Sequence, residues 1–225
     1  MSLPARLAPL SGVAGIGFLV AGLATDKAPT SSWSDTRITS WYATHGNAQW
    51  LVSAYLIAVA APFLLIFTGV VRERLAASGA SRVSRSVLLG SGTAFAVTAL
   101  VGAALYAGVP AARVFAEAPS PSPDISRYLL GAAYGTLVMF SAFAAALFAA
   151  TASIGSLRSR AIPRWLAIAG IPAAVLMLAN AVMPMAVITL WFLVASITLT
   201  LRPLREPAVP ARRPAAAEQQ VAVAL

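Results

Sequence analysis

The sequence predicts an all-α protein, a polytopic transmembrane bundle of six helices with a short interfacial helix in the first outer loop. Three observations predict this class. Of the 225 residues, 59% are hydrophobic and 10% charged, whereas about a quarter of a soluble domain is charged. The stretch 48–71 contains no charge, and at about 1.5 Å per residue it can cross a hydrocarbon core of roughly 30 Å. Several further apolar runs accompany it.

Composition also excludes several classes of protein. The net charge is +9, but the basic residues lie in short clusters between apolar runs. They therefore indicate membrane topology rather than nucleic-acid binding. Nearly all of them are arginine and alanine is abundant, which is typical of a high-GC bacterial genome. The chain has no cysteine, which excludes disulfides, thiolate chemistry and cysteine-ligated metals.

The first apolar run, 7–24, has two interpretations. A cleaved signal peptide would use Arg6 as its basic start and end at a small residue near Ala24. A retained helix needs about the number of apolar residues that are present. We favour the retained helix, because Gly12, Gly15 and Gly17 would let it pack closely on a neighbouring helix.

The connection that follows, 25–47, predicts a short helix that Ser34 or Asp35 caps and Gly46 ends. Its residues at helical spacing on one face are Ile38, Trp41, Tyr42 and His45. Aromatic side chains with a polar tip settle at headgroup depth, so the pattern predicts a helix at the membrane surface. Trp50 extends the same aromatic belt.

The second and third spans are predicted at 48–71, with Pro62 inside it, and at 86–109. A fourth, 128–153, follows a start signal of Ser122, Pro123 and Asp124. Its Gly131 and Gly135 form a GxxxG pattern, which we interpret as packing within the bundle rather than a dimer seam.

The last apolar run, 165–201, is too long for one span. Asn180 and the Met-Pro-Met sequence at 183–185 mark a turn, so the run divides into spans 165–182 and 185–201. The transmembrane domain is thus 1–201. Residues 202–225 are rich in Pro, Ala and Arg without periodicity, which predicts a disordered cytoplasmic tail.

The distribution of charge predicts both termini in the cytoplasm of a bacterial cell-membrane protein. One side of the predicted topology carries four basic residues, namely Lys27, Arg37, Arg113 and Arg127. The other carries twelve, namely Arg6, Arg72, Arg74, Arg82, Arg85, Arg158, Arg160, Arg164, Arg202, Arg205, Arg212 and Arg213. The positive-inside rule assigns the side with twelve to the cytoplasm.

Candidate functional residues are few, because no Asp, Glu, Lys, Arg or His lies between the predicted span ends. Asp35 is a helix cap or a catalytic acid, and Trp41 is a belt residue. His45 is a belt residue, an acid/base group or a single metal ligand. Glu117 could join Asp35 and Asp124 in an outer cation site. Asn180 is a turn residue or a ligand contact. The sequence calls for no cofactor and indicates no bound metal.

Three motifs carry a resemblance to a known family. Residues 34–45 read SDTRITSWYATH, residues 72–75 read RERL, and residues 162–166 read IPRWL. In this order, after a glycine-rich first helix, they resemble a family of six-span integral membrane proteins of high-GC bacteria, over roughly residues 10–200. That family carries no assigned activity, so the resemblance implies the fold and adds no catalytic residue.

These observations favour a membrane protein without catalytic machinery, accessory to a complex or structural. Its expected partners are the bilayer and a protein within the membrane. The alternative is a binder or facilitator of a lipid-like or other apolar molecule, in a pocket between helices bent at Pro62 and Pro172. A third hypothesis is an enzyme with chemistry at the outer rim around Asp35, His45 and Glu117.

Overall fold

The computed structural model describes residues 7–25, 28–30, 32–44, 47–179 and 184–202, which form seven α-helices and no strand. The predicted all-α class is confirmed. The helices are α1 (Ser11–Ala24, after a 3-10 turn Ala8–Leu10), α2 (Asp35–Thr44), α3 (Asn47–Ala77), α4 (Arg82–Phe115), α5 (Pro123–Ser159, π-helical over Gly135–Phe140), α6 (Arg164–Ala179) and α7 (Pro184–Leu201).

Three of these helices have the length and composition of membrane spans. Helices α3, α4 and α5 have 31, 34 and 37 residues and are apolar enough to cross a bilayer. Helices α1, α6 and α7 are also apolar but shorter. Length and composition therefore support a membrane protein.

The helices pack in sequence around an aromatic core, and the last helix packs on the first. Helix α1 packs on α3, α3 on α4, α4 on α5, α5 on α6, α6 on α7, and α7 returns to α1. The core contains Phe67, Phe95, Phe148 and Phe192, one from each of α3, α4, α5 and α7, and each is at most 1% exposed. Their ring centroids lie 5.3 to 6.2 Å apart, the range in which aromatic pairs attract one another.

The first helix belongs to this core. Ile16 and Leu19 are at most 2% exposed. A Cβ added at Gly22 would lie 2.8 Å from the carbonyl oxygen of Ser53 and 2.6 Å from the side chain of Ile57. Glycine is therefore needed there for the close approach of α1 to α3.

The GxxxG pattern of α5 does not make the predicted packing contacts within the bundle. A Cβ added at Gly131 or Gly135 would meet nothing within 4 Å, and Gly131 is exposed. These glycines do not pack inside the bundle, so that interpretation was wrong. The close helix contacts come instead from glycines such as Gly22, which the GxxxG spacing does not mark.

Helix α4 runs past the predicted end of the third span. Pro110, expected to open a loop, lies inside the helix, which continues to Phe115. The last turn is held because Arg113 donates to Asn47 Oδ1 at 3.0 Å and to the carbonyl oxygen of Tyr42 at 3.1 Å. These tertiary bonds compensate for the backbone bond that proline cannot donate.

Other local signals agree with the structure. Ser122 caps α5, accepting from the backbone N–H of Ile125 at 3.4 Å, and Pro123 opens that helix. The run 165–201 is divided, since α6 ends at Ala179 and α7 begins at Pro184. The proposed turn at 180–183 and the tail from residue 203 lie outside the described residues.

The helix ends meet at two opposite ends of the molecule. At the basic end, defined here as residues 72–85, 158–164 and 202, Ser78 Oγ donates to Ser159 Oγ at 3.1 Å. Arg74 also reaches the carbonyl oxygen of Arg202 at 2.8 Å. At the aromatic end, defined as residues 32–44, 47–50 and 106–134, α2 contacts the start of α5 and the end of α4.

Candidate functional site

The predicted site residues that the structure describes, Asp35, Trp41 and Glu117, are spread over the aromatic end rather than gathered at one point. Asp35 and Trp41 lie on α2, and Glu117 lies in the connection after α4. His45 and Asn180 lie outside the described residues. The described part of the chain brings no three His, Cys, Asp or Glu side chains together as a metal site.

Asp35 joins α2 to α5. The guanidinium of Arg127 donates to Asp35 Oδ1 at 2.6 Å, to Asp124 Oδ1 at 3.2 Å and to the carbonyl oxygen of Trp33 at 2.9 Å. The side chain of Asp35 is 69% exposed. An exposed carboxylate paired in this way has the geometry of a helix tether, which fits its position in the first turn of α2.

The aromatic side chains of α2 pack inward instead of forming a belt at the surface. Tyr42 is 1% exposed, and its hydroxyl lies 2.5 Å from Ser126 Oγ. Trp41 is half-buried and packs edge-on against Tyr42 and Trp50, with centroids 5.3 and 5.5 Å away. Trp50, also assigned to the belt, is only 4% exposed. The helix at 35–44 exists as predicted, but its aromatic face is covered by protein.

Burial also changes the acidity of Tyr42. Removal from solvent raises the pKa of its phenol above 10.0, and the hydrogen bond with Ser126 and the charge of Arg113 oppose this effect. The phenol therefore stays neutral through the physiological range. The group acts as a buried link between α2 and α5.

Glu117 stands apart from the other acids. It is exposed, and its φ of 50° places it in the left-handed region, two residues beyond the end of α4. Among the described residues no hydrogen bond or ion pair joins it to Asp35 or Asp124. The outer cation site suggested for these three residues is thus not assembled.

Hydroxyl groups on the helices serve as contacts between helices. Ser53 Oγ lies 2.9 Å from Thr25 Oγ1, which links α3 to the end of α1. Ser141 Oγ donates to Thr98 Oγ1 at 2.9 Å, which links α5 to α4 beside the π-helical segment. Tyr55, also on α3, is 69% exposed.

The described structure has an apolar groove between α3 and α4, near the aromatic end. Its volume is about 590 Å³, within the size range of small-molecule sites. One wall consists of Leu51, Val52, Ala54, Tyr55 and Ala58, the other of Leu100, Ala103, Ala104 and Ala107, with Phe115 also lining it. The groove opens sideways, because Val52, Tyr55 and Phe115 are 54%, 69% and 79% exposed. Neither Pro62 nor Pro172 lines this groove, and both are exposed, so a pocket between the helices that contain them stays a prediction.

Arg113, near the end of α4, is not among the residues that line this groove. Arg113 precedes Phe115 by two residues, and its partner Asn47 lies one helical turn before Leu51. Two of the five guanidinium N–H groups of Arg113 donate to Asn47 and Tyr42. The guanidinium of Arg113 therefore ties the end of α4 to α2 and to the start of α3.

The sequence analysis did not identify Arg74 as a structurally important residue. Arg74, counted there as a loop charge, is 6% exposed and donates to the carbonyl oxygens of Leu199 at 2.5 Å and Arg202 at 2.8 Å. It therefore caps the end of α7, where backbone carbonyls lack helical partners. The signal was available, because the apolar spacing of Leu64, Phe67 and Val71 places residue 74 on the buried face.

Comparison of the chain with protein-family models, with curated proteins and with solved structures finds no match. Functional argument therefore rests on the geometry above.

Proposed function

We propose that this chain is a six-span integral membrane protein with both termini in the cytoplasm, serving as an accessory or structural component rather than an enzyme. The observation that carries the proposal is the separation of charge between the two ends. The arginines at the basic end are Arg72, Arg74, Arg82, Arg85, Arg158, Arg160, Arg164 and Arg202, with Glu73 as the acid among them. This imbalance supports a cytoplasmic basic end.

The packing supports six spans over five. Ser196 of α7 donates to the carbonyl oxygen of Pro9 at 2.5 Å and accepts from the backbone N–H of Val13 at 3.1 Å. Together with the buried Ile16 and Leu19, these bonds tie α1 into the bundle. A cleaved first helix would leave the facing surfaces of α3 and α7 uncovered.

The use of the charged side chains supports a role without catalysis. Arg113, Arg127 and Asp35 at the aromatic end are engaged in contacts between helices. Arg74 does the same at the basic end. Groups committed to such tethers are poorly available for proton transfer.

Cysteine labelling tests the topology cleanly, because the chain contains no cysteine. We expect an impermeant maleimide to label Ser40→Cys and Ser120→Cys in intact cells. Val83→Cys and Arg158→Cys, at the basic end, should react only after permeabilisation. Labelling of Val83→Cys in intact cells would reject the orientation, and all four positions reacting from one side would reject the six-span topology.

Complementation tests the absence of catalysis. We expect a host strain that lacks its own copy of the gene to regain the wild-type phenotype when it expresses Asp35→Asn, His45→Ala or Glu117→Gln. The amount of protein in the membrane should be unchanged. Loss of complementation by any of them, with normal expression and unchanged thermal stability, would favour an enzyme at the outer rim.

The groove supports a second candidate, a binder or facilitator of a lipid-like molecule. Its apolar walls and sideways opening suit an apolar guest arriving from the bilayer. Native mass spectrometry of the purified protein, followed by lipid extraction, should then reveal one non-bulk molecule at fixed stoichiometry. Protein without bound lipid, or with a mixture of bulk lipids, would leave the accessory role as the remaining candidate function.

A further inference from the structure

We infer that the π-helical segment of α5, Gly135–Phe140, is a conformational switch that opens and closes the contact between α2 and α5. This contact, called the α2–α5 seam below, joins Tyr42 to Ser126 and Asp35 to Arg127. The switch is the conversion of the segment between its π-helical form and an α-helical form. It goes beyond the proposed accessory role, because it concerns a change of shape within the chain and holds for either orientation in the membrane.

The π-helical segment divides α5 into two α-helical halves, Pro123–Tyr134 and Ser141–Ser159. Its backbone hydrogen bonds close at i+5 instead of i+4, a form that is rare in proteins and frequent at functional sites. Conversion to an α-helix would turn the first half relative to the second by about 100° and shift it by about 1.5 Å, one residue of an α-helix. The second half packs on α6 and supplies Phe148 to the core, so the first half is the part that moves.

One hydroxyl group connects the π-helical segment to α4. Ser141 Oγ lies 2.9 Å from Thr98 Oγ1 on α4 and 3.2 Å from the carbonyl oxygen of Thr136 in the segment. A serine hydroxyl has one hydrogen, so these two acceptors compete for it. The backbone N–H of Ser141 donates to the same carbonyl, five residues earlier, which is the bond of the π-helical form. The Ser141 hydroxyl therefore stabilises the π-helical form and the packing of α5 on α4 at the same time.

A glycine on α4 accommodates the segment. Leu137 is 1% exposed and packs over Gly102. A Cβ added at Gly102 would lie 2.6 Å from Leu137 Cδ2 and 3.3 Å from the backbone nitrogen of Leu137. Both the side chain and the backbone of the segment therefore need glycine at this position. Conversion to the α-helical form would move Leu137 relative to Gly102, so this contact holds the segment in its π-helical form.

The first half of α5 makes the contacts with α2 and with the turn before it. Ser126 Oγ lies 2.5 Å from the hydroxyl of Tyr42. Arg127 donates to Asp35 Oδ1 at 2.6 Å and to the carbonyl oxygen of Trp33 at 2.9 Å. All three bonds come from residues before the π-helical segment, so a turn of the first half would break them together. The α2–α5 seam would then open.

The experiment measures how fast a buried thiol in the α2–α5 seam reacts. Ser126→Cys is the reporter, because Ser126 is 0% exposed and the chain has no cysteine of its own. The detergent-purified protein is treated with N-ethylmaleimide, and the modified fraction is followed by mass spectrometry. The rate at which a buried group reacts reports the population of the open state.

Two pairs of variants, each made together with the reporter, test the switch. Gly102→Ala crowds the π-helical segment, and its matched control is Gly90→Ala on the same helix, where an added Cβ meets nothing within 4 Å. Ser141→Ala and Thr98→Val both remove the hydrogen bond between α4 and α5. Only Ser141→Ala also removes the hydroxyl donor to the segment.

We expect Gly102→Ala and Ser141→Ala to raise the reaction rate about tenfold, because each removes a contact that holds the π-helical form. Gly90→Ala should leave the rate unchanged. Thr98→Val should leave it unchanged or lower it, since the Ser141 hydroxyl then donates to the segment alone. Thermal unfolding of each variant separates opening of the seam from loss of folding.

Deletion of Met139, which is 56% exposed, tests whether the extra residue of the π-helical segment is the cause. Without that residue α5 should be α-helical throughout, with both halves in their present orientation. We expect this variant to fold and its reporter to react slowly. Addition of Ser141→Ala should no longer raise the rate.

Other results would overturn the inference. Equal acceleration by Ser141→Ala and Thr98→Val, or by Gly102→Ala and Gly90→Ala, would mean that looser packing of α4 is responsible. An unchanged rate in both Gly102→Ala and Ser141→Ala would mean that the segment does not control the seam. If the deletion variant did not fold, the π-helical form would be a fixed part of the structure rather than one of two states.

Discussion

The two ends of the molecule are held together by different kinds of interaction. At the aromatic end, stacked rings join α2 to α3, and one buried phenol and an exposed ion pair join α2 to α5. At the basic end, a single buried guanidinium binds the backbone carbonyl oxygens that finish α7. The remaining arginines there lie mostly on the surface, and Arg72 pairs only with its neighbour Glu73.

This difference predicts how the stability of each end responds to substitution. Contacts at the aromatic end are numerous and individually weak, because its ion pair is exposed and screened by solvent. At the basic end one buried residue, Arg74, makes charge-assisted bonds to the end of α7, and the hydrogen bond from Ser78 to Ser159 adds a neutral contact. At the basic end, we therefore expect the largest loss of stability from substitution of Arg74. At the aromatic end, we expect the loss to be divided among many residues.

The largest effect is expected for Arg74→Leu. The variant leaves the carbonyl oxygens of Leu199 and Arg202 without their charged donor, at about 1.5 kcal/mol or more each. We expect a loss of about 3 kcal/mol in unfolding free energy, measured by thermal or denaturant unfolding in detergent. The control is Arg72→Leu, whose side chain is 42% exposed and should cost little. Equal losses in the two variants would contradict the anchoring role of Arg74.

A smaller effect is expected for Tyr42→Phe, which removes the hydrogen bond to the fully buried Ser126. The expected cost is about 1 kcal/mol at neutral pH. Because burial raises the pKa of Tyr42 in the folded state above 10.0, the unfolded chain ionises first as pH rises. Stability contributed by the neutral phenol is thus complete below pH 10 and is lost above it.

The pH dependence provides the measurement. Unfolding curves recorded from pH 8 to 11 should show the wild type losing stability above about pH 10, and Tyr42→Phe losing less. Tyr128→Phe is the control, because its side chain is 81% exposed. If Tyr42→Phe kept the full alkaline loss, the phenol would not be the group responsible.

The smallest effect is expected for Asp35→Asn. Exposed ion pairs contribute about 0.5 kcal/mol, and Arg127 keeps its bonds to Asp124 and to the carbonyl oxygen of Trp33. The small loss should also disappear in high salt, where screening weakens the pair in the wild type. A loss above about 2 kcal/mol, or one insensitive to salt, would show that Asp35 does more than tether α2.

Much of the local architecture follows from the sequence. Ser122 and Pro123 marked the start of α5, and the Asn180 to Met185 segment marked the division between α6 and α7. These signals are local, since a cap or a turn depends on a few neighbouring residues. Pro110 misled for the same reason, because the bonds that carry α4 past it come from residues distant in sequence.

Local sequence signals predicted less of the candidate site than of the helices. Asp35 and Trp41 lie on the predicted short helix, but their partners Arg127 and Trp50 lie on other helices. The groove between α3 and α4 had no sequence signature, because its walls are ordinary alanines, leucines and valines.

The sequence by itself determined the all-α class, the positions of most helices and the unequal distribution of charge. Only the tertiary structure decided which sides of those helices face inward. It buried Arg74, left Gly131 exposed and opened the groove beside Ala104. The physical reason is that these helices are apolar all round, so hydrophobicity no longer separates the packed face from the outer one. Close packing between particular side chains makes that choice.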